Sequence, residues 1–203
     1  MDPVNRDDTE RAPRLSTRPL RADAQRNRAR VLAAAQQAFA AEGLAVPLDE
    51  IARRAGVGAG TVYRHFPTKE ALFEAVMLDR ITRLVDHAKS LAAAEDPGAA
   101  FFDFLHRMIV GAAASKDLVD ALLGAEIRHA ELIIAAKQDL QRAGGELLAR
   151  AQKAGAVRGD VAVPELMALL SGAVGALQLQ PGNAHLRDVV FTVLRDGLAG
   201  SPD

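Results

Sequence analysis

Thr61, Arg64 and His65 are the polar residues of a short stretch that also holds Val62 and Phe66, four residues apart. At helical spacing the two apolar residues share one face and the three polar ones point away from it. Gly58, Ala59 and Gly60 stand at the leading end of that stretch, where small side chains let a helix backbone come close to base edges in the DNA major groove. Other chemistry is poorly served. Asp103-x-x-His106 and Glu126-x-x-His129 each place a carboxylate and an imidazole on one helical face, which is metal-ligand spacing. A di-iron bundle needs carboxylates from two further helices as well, and no candidates stand out, so local hydrogen bonding or solvated faces is the simpler reading and no metal or cofactor is expected. The chain has no cysteine, no G-x-S-x-G elbow and no P-loop. Gly56-x-Gly58-x-Gly60 lacks the preceding strand of a dinucleotide site, and no enzyme activity is expected.

The elements that must hold the 59–66 stretch can be traced from their stops and caps. Ile51, Ala52 and Ala55 form an apolar stripe on a helix with Pro47 at its first turn, Gly56 supplies a left-handed stop, and Val57 begins the turn. A helix, a glycine turn and a second helix in this order divide the work of a helix-turn-helix, one helix crossing the DNA backbone and the other entering the groove. A first helix is expected after Asp23 as N-cap and before Gly43, burying Val31, Leu32, Ala35 and Phe39. Thr68 caps a long fourth helix with Glu70 in its first turn, carrying Leu72, Phe73, Val76, Leu84, Val85 and Ala88 inward to about Ala94. Asp96-Pro97 opens a fifth, to Ala114; Ser115 opens a short sixth that Gly124 ends; a seventh covers about Ala125 to Ala154. Gly144-Gly145 inside the seventh costs about 2 kcal/mol relative to alanine, which implies close packing or a kink. An eighth starts at Pro164 and a ninth covers His185 to Ala199. The fold class is therefore all-α, with about nine helices.

Over residues 51–72 the chain, IARRAGVGAGTVYRHFPTKEAL, closely resembles the DNA-binding segment of the TetR family of bacterial transcriptional regulators, I-A-x-x-A-G-V-x-x-G-T-hydrophobic-Y-x-H-F-x-x-K-x-x-L. The resemblance implies a homodimer of nine or ten helices per chain, with an N-terminal three-helix DNA-binding domain and a C-terminal helical bundle for effector binding and dimerisation. Position by position it implies that Ala59, Gly60, Thr61 and Arg64 face bases, and that Tyr63, His65 and Lys69 hold phosphates. It also favours a dimer seam in the last two helices. There Gly172, Ala173, Gly175 and Ala176 permit close approach, and Val189, Val190, Val193 and Leu194 form an apolar face, although a core role for each is the bland alternative. The family often has a threonine cap ahead of the 48–55 helix; Pro47 stands there instead, leaving backbone N–H groups as the phosphate donors.

Charge supports this organisation. The chain carries 25 basic and 26 acidic residues, but residues 1–69 hold 12 basic and 8 acidic while residues 70–203 hold 13 and 18. Seven arginines and one acid lie between Arg11 and Arg30, which suits an arm for phosphates or merely a soluble tail. The expected domains are a flexible basic arm (1–20), a helix-turn-helix domain (21–67) and an effector-binding and dimerisation domain (68–203). The charged N-terminal stretch has no apolar centre and Leu166–Leu179 is too short and too polar to span a bilayer, so a cytoplasmic protein with no membrane partner is expected. Bulky apolar residues crowd the 101–134 region; most must be core, yet helix bundles place ligand cavities between facing helices. Phe102, Leu105, His106, Met108, Ile109, Leu122 and His129 are the candidate effector contacts, with His87, Arg107 and Gln178 as further polar candidates. The expected function is a sequence-specific repressor that leaves a palindromic double-stranded operator when a small, largely apolar effector binds. The alternatives are a helical small-molecule-binding protein or hydrolase, and an architectural DNA binder without operator specificity.

Overall fold

The computed structural model describes residues 17–113, 130–180 and 182–200. Among these residues the chain forms α1 (Thr17–Glu42), a 3-10 turn (Gly43–Ala45), α2 (Leu48–Ala55), α3 (Ala59–His65), α4 (Lys69–Leu91), α5 (Pro97–Ala113), α6 (Ala130–Lys153), α7 (Val163–Gln178) and α8 (Ala184–Leu198). The expected 1–16 part of the arm and the expected helix from Ser115 to Gly124 lie outside the described residues, as do Leu122, Glu126 and His129. An isolated bridge between Val157 and Ala199 is the only extended pairing among those described.

Stops and caps act as their residue types dictate. Gly56 takes φ 62° and ψ 39°, the left-handed conformation that lets Gly56 and Val57 donate backbone N–H groups back to α2. Thr68 accepts from the Ala71 N–H at 3.1 Å, and Asp96 from the Ala99 N–H at 2.8 Å, so α4 and α5 begin where their caps predict. Helix α1 begins earlier than expected, at Thr17 rather than after Asp23. Pro19 falls in the first turn, where its missing N–H has no helical acceptor to lose, and Asp23 ion-pairs with Arg26 one turn on instead of capping. Helix α4 stops at Leu91, short of Ala94. The Arg150 guanidinium of α6 takes the released carbonyls of Leu91 (3.3 Å) and Ala94 (2.8 Å).

Three apolar clusters hold the helices. The first joins Val31, Phe39, Ile51, Val62, Phe66, Leu72 and Val76, with the Phe39 and Phe73 rings edge to face at 6.1 Å; full burial of each large side chain contributes about 1.5–3 kcal/mol. The second gathers Phe101, Phe104, Leu105, Ile109, Leu147 and Leu198 from α5, α6 and α8. Ile81, Val85 and Ile133 make the third, where α4 packs along α6. Helix α6 is one helix from Ala130 through Gly144-Gly145 to Lys153, and the glycines serve close packing. A Cβ on Gly144 would stand 3.0 Å from Phe104 Cε1, and one on Gly145 3.1 Å from Val163 Cγ2.

The two glycines that flank the turn answer to different physics. An added Cβ has only an arginine tip at 3.9 Å near Gly56 and open space at Gly60, so backbone conformation alone separates them. Gly56→Ala is expected to cost about 1–2 kcal/mol because φ stays positive, and Gly60→Ala, in an exposed helical position, to gain about 0.4–1 kcal/mol. Urea unfolding of both variants measures this.

Candidate nucleic-acid interface and ligand cavity

Helix α3 is held from beneath and open above. Val62 is fully buried and Phe66, its C-cap, nearly so, while Ala59, Gly60, Tyr63, Arg64 and His65 are exposed and Thr61 is half-buried. Among the described residues the side chains of Thr61, Tyr63 and Arg64 have no hydrogen-bond partner within the chain. Tyr63 and Arg64 are open to solvent, and Thr61 partly so. The Arg28 guanidinium of α1 stands 5.6 Å from the ring centroid of Phe66, on the packed side of α3. Lys69 differs from the other predicted contacts: its ammonium donates to the carbonyls of Leu44 (2.8 Å) and Ala45 (3.4 Å), fastening the start of α4 to the 3-10 turn ahead of α2. An ammonium has three donors, so this anchoring is compatible with a phosphate contact.

Helix α2 carries its own clamp. Glu50 accepts from Arg53 at 2.8 and 2.7 Å and from Arg54 at 2.7 Å, and Arg54 also reaches Glu42 at the end of α1. Those two arginines are therefore neutralised locally. The open cations lie on α3 and α1 instead.

Farther along α4, a cavity of about 340 Å³ opens between α4, α5, α6 and α7. Met77, Arg80, Ile81 and Leu84 come from α4, Met108 from α5, Lys137, Leu140 and Gln141 from α6, and Met167, Val174 and Gln178 from α7. Of the described effector candidates, Met108 lines it, as does Gln178. Leu105 and Ile109 point instead into the second cluster, both almost fully buried. Phe102 and His106 do not line the cavity either. Phe102 lies edge to face with Phe101 at 5.3 Å, and the His106 ring is exposed against Phe191 of α8 at 4.8 Å. Asp103, His106 and Arg107 form the exposed side of the 101–109 stretch, and periodicity cannot say which of the apolar residues opposite meet a cavity and which meet core. Asp103 binds His87 of α4, whose Nε2 stands 2.7 Å from its carboxylate, and not His106 one turn away. Arg80 and Lys137 were missed. The signal for Arg80 was present: it stands three residues after Met77 and four before Leu84, inside the apolar stripe of α4.

Helices α7 and α8 leave a second concavity on the surface, about 760 Å³, lined by Leu169, Gly172, Ala173, Val189, Val190, Val193 and Leu194 among others. Leu169, Val189 and Val193 are 46%, 42% and 66% exposed, a large apolar area for a monomer to show to water. The predicted Gly172, Val190 and Leu194 line this groove. Gly175 and Ala176 are exposed farther along α7 and do not line it.

Residues 31–76 match the family described as bacterial regulatory proteins of the tetR family, and residues 96–200 match the C-terminal domain of SbtR-like transcriptional regulators. The chain is 53% identical to a crystal structure of a TetR transcription regulatory protein from Mycobacterium vanbaalenii, covering 89% of this chain and 99% of that one with a TM-score of 0.73. The chain belongs to the TetR family. A TetR transcriptional regulator from Streptomyces coelicolor is 34% identical over 86% of this chain and 99% of its own, with a TM-score of 0.75. Among curated relatives, the HTH-type transcriptional regulator SrpR of Pseudomonas putida is 42% identical over 64 residues, and UidR of Escherichia coli is 32% identical over 94. Those matches cover 31% and 45% of this chain, and 30% and 45% of the relatives.

In this TetR-family regulator the clamp on α2 responds to acid. Hydrogen bonds from Arg53, then Arg54, hold the Glu50 carboxyl at about 2 against an ordinary 4.5. A folded value below the unfolded one means that the contribution is complete above pH 4.5 and is lost as pH falls to about 2. Between those limits the melting temperature of the natural chain is expected to fall more steeply than that of Glu50→Gln, as followed by circular dichroism. Parallel slopes would show that the exposed pairs contribute nothing.

Proposed function

We propose that this chain is a cytoplasmic transcriptional repressor that binds a palindromic operator as a homodimer and leaves it when a small, largely apolar effector enters the bundle. The single observation that carries the reading is the open donor face of α3, set on a rigid apolar core and tied through Thr68 and Lys69 to the helix that lines the cavity. Residues 17–67 form the DNA-binding domain, the first four of them extending α1 beyond the expected start at 21, residues 68–203 the effector and dimerisation domain, and the residues before 17 a basic arm. Ala59, Gly60, Thr61 and Arg64 read bases; Tyr63, His65 and Lys69 hold phosphates. The protein acts by binding, not catalysis. No helix among the described residues is long and apolar enough to cross a membrane, which is in keeping with a reading that needs none.

The groove on α7 and α8 supports pairing with a second copy through the same face, since a two-fold interface must be self-complementary. Two recognition helices so joined meet successive major grooves about 34–36 Å apart, or a multiple of that, hence the palindrome. The effector moves α4 as a unit and changes the spacing of the two α3 helices, which couples ligand and operator negatively.

Selection of bound DNA from a random pool, followed by footprinting, tests operator specificity. Arg64→Ala is expected to relax preference at one position of each half-site at a cost of about 1–3 kcal/mol, and an unchanged consensus would remove Arg64 from base reading. Lys69→Ala should weaken all sequences alike and lower the salt slope by about one. It should also lower the melting temperature, because the Leu44 carbonyl loses its donor.

Val193→Asp places a carboxylate at the most exposed apolar position of the groove, where it cannot destabilise a monomer core. Sedimentation is expected to show monomers whose operator affinity has collapsed. Monomers that keep full affinity would refute the paired-helix scheme.

A further inference from the structure

The polar groups around the α4–α7 cavity carry charge of one sign. Arg80 and Lys137 are joined there by the carboxamides of Gln141 and Gln178, and among the described residues no carboxylate lines it. The rest of the wall is apolar, three of its side chains being the methionines Met77, Met108 and Met167, which adapt their shape to an irregular guest. Arg80 is half-buried on the inner side of α4, between Met77 and Leu84, while Lys137 is exposed and stands at the rim. We propose that the effector of this cavity is an amphipathic organic acid, its carboxylate held by Arg80 and Lys137 and its hydrocarbon body laid along the methionines. The proposal deepens the reading of this chain as a ligand-released repressor and rests on it.

Three physical points support the assignment. Burial pushes the Arg80 guanidinium below its ordinary pKa, with the Arg83 charge adding to the effect, so an incoming anion meets a cation already stripped of part of its water. A planar guanidinium offers two parallel donors to a carboxylate, and a neutral head group of the same size cannot use them as well. The position also matters for release. Arg80 lies one turn before Arg83, which pairs with Asp79 at 2.8 Å and donates to Gln36 of α1 at 2.7 Å. A carboxylate that draws Arg80 toward the cavity therefore acts on the turn of α4 that is hydrogen-bonded to the DNA-binding helices.

The test compares decanoate with decanamide, the same chain with a neutral head, by titration calorimetry on the full-length dimer. Decanoate is expected to bind about tenfold or more tightly than decanamide. Arg80→Gln should remove most of that preference, weakening decanoate far more than decanamide, and Lys137→Gln should reduce it by a smaller factor that shrinks as salt rises. Equal affinities for the two probes, no binding of decanoate, or a preference that survives both substitutions would each overturn the proposal. Should Arg80→Gln not fold, as checked by circular dichroism, the two probes on the natural chain and on Lys137→Gln decide. Operator footprinting in the same samples keeps the two readings apart. Decanoate that binds through Arg80 without releasing operator supports the acid site and refutes ligand release, whereas operator protection with no decanoate bound leaves the DNA reading standing and refutes the acid.

Discussion

Helix α4 must be buried at both ends by different neighbours, and it must stay one helix to do so. Its first turns put Leu72, Phe73, Val76 and Met77 into the cluster that also holds Ile51, Val62 and Phe66, while Ile81 and Val85 pack with Ile133 of α6. Between these ends it carries Arg80 and Leu84 along the cavity. Closely packed interiors do not absorb a shift locally, so a displacement at one cluster is handed to the other. The Lys69 contact to Leu44 and the Arg83 contact to Gln36 add directional ties to the same junction.

The same economy of burial explains why α3 is available for recognition. A helix of seven residues does not stand alone in water; it persists because Val62 and Phe66 are clamped by α1, α2 and α4. Once two residues hold it, the remaining positions are free of structural duty. The α2 arginines, by contrast, are tied to Glu50 and Glu42, so the cationic character of the face is set by α1 and α3.

The groove on α7 and α8 is the complementary case, an apolar surface left exposed among the described residues. A Cβ added at its Gly172 would meet nothing within 4 Å, which is open room for another helix. Such room is a cost to an isolated chain and an asset to a paired one.

Much of this was legible in residue order alone. The helix-turn-helix, its glycine stop at Gly56, the Thr68 and Asp96 caps and the buried stripes of α1 to α4 follow from local rules, because caps, left-handed glycines and 3.6-residue periodicity act over a few neighbouring residues. The start of α1 was missed because Asp23 is of a favoured N-cap type, yet it lies inside the helix and pairs with Arg26. What no local rule settles is which residues of an apolar helix face meet an empty space and which meet core. Leu105 and Ile109 became core and Met108 cavity wall, His106 turned to Phe191, and Gly145 closed on Val163, since each outcome depends on where a distant helix lies. Arg80 and Lys137 are 57 positions apart in the chain and line one cavity only because α4 packs along α6, a pairing decided by burial of whole faces and not by any nearby residue.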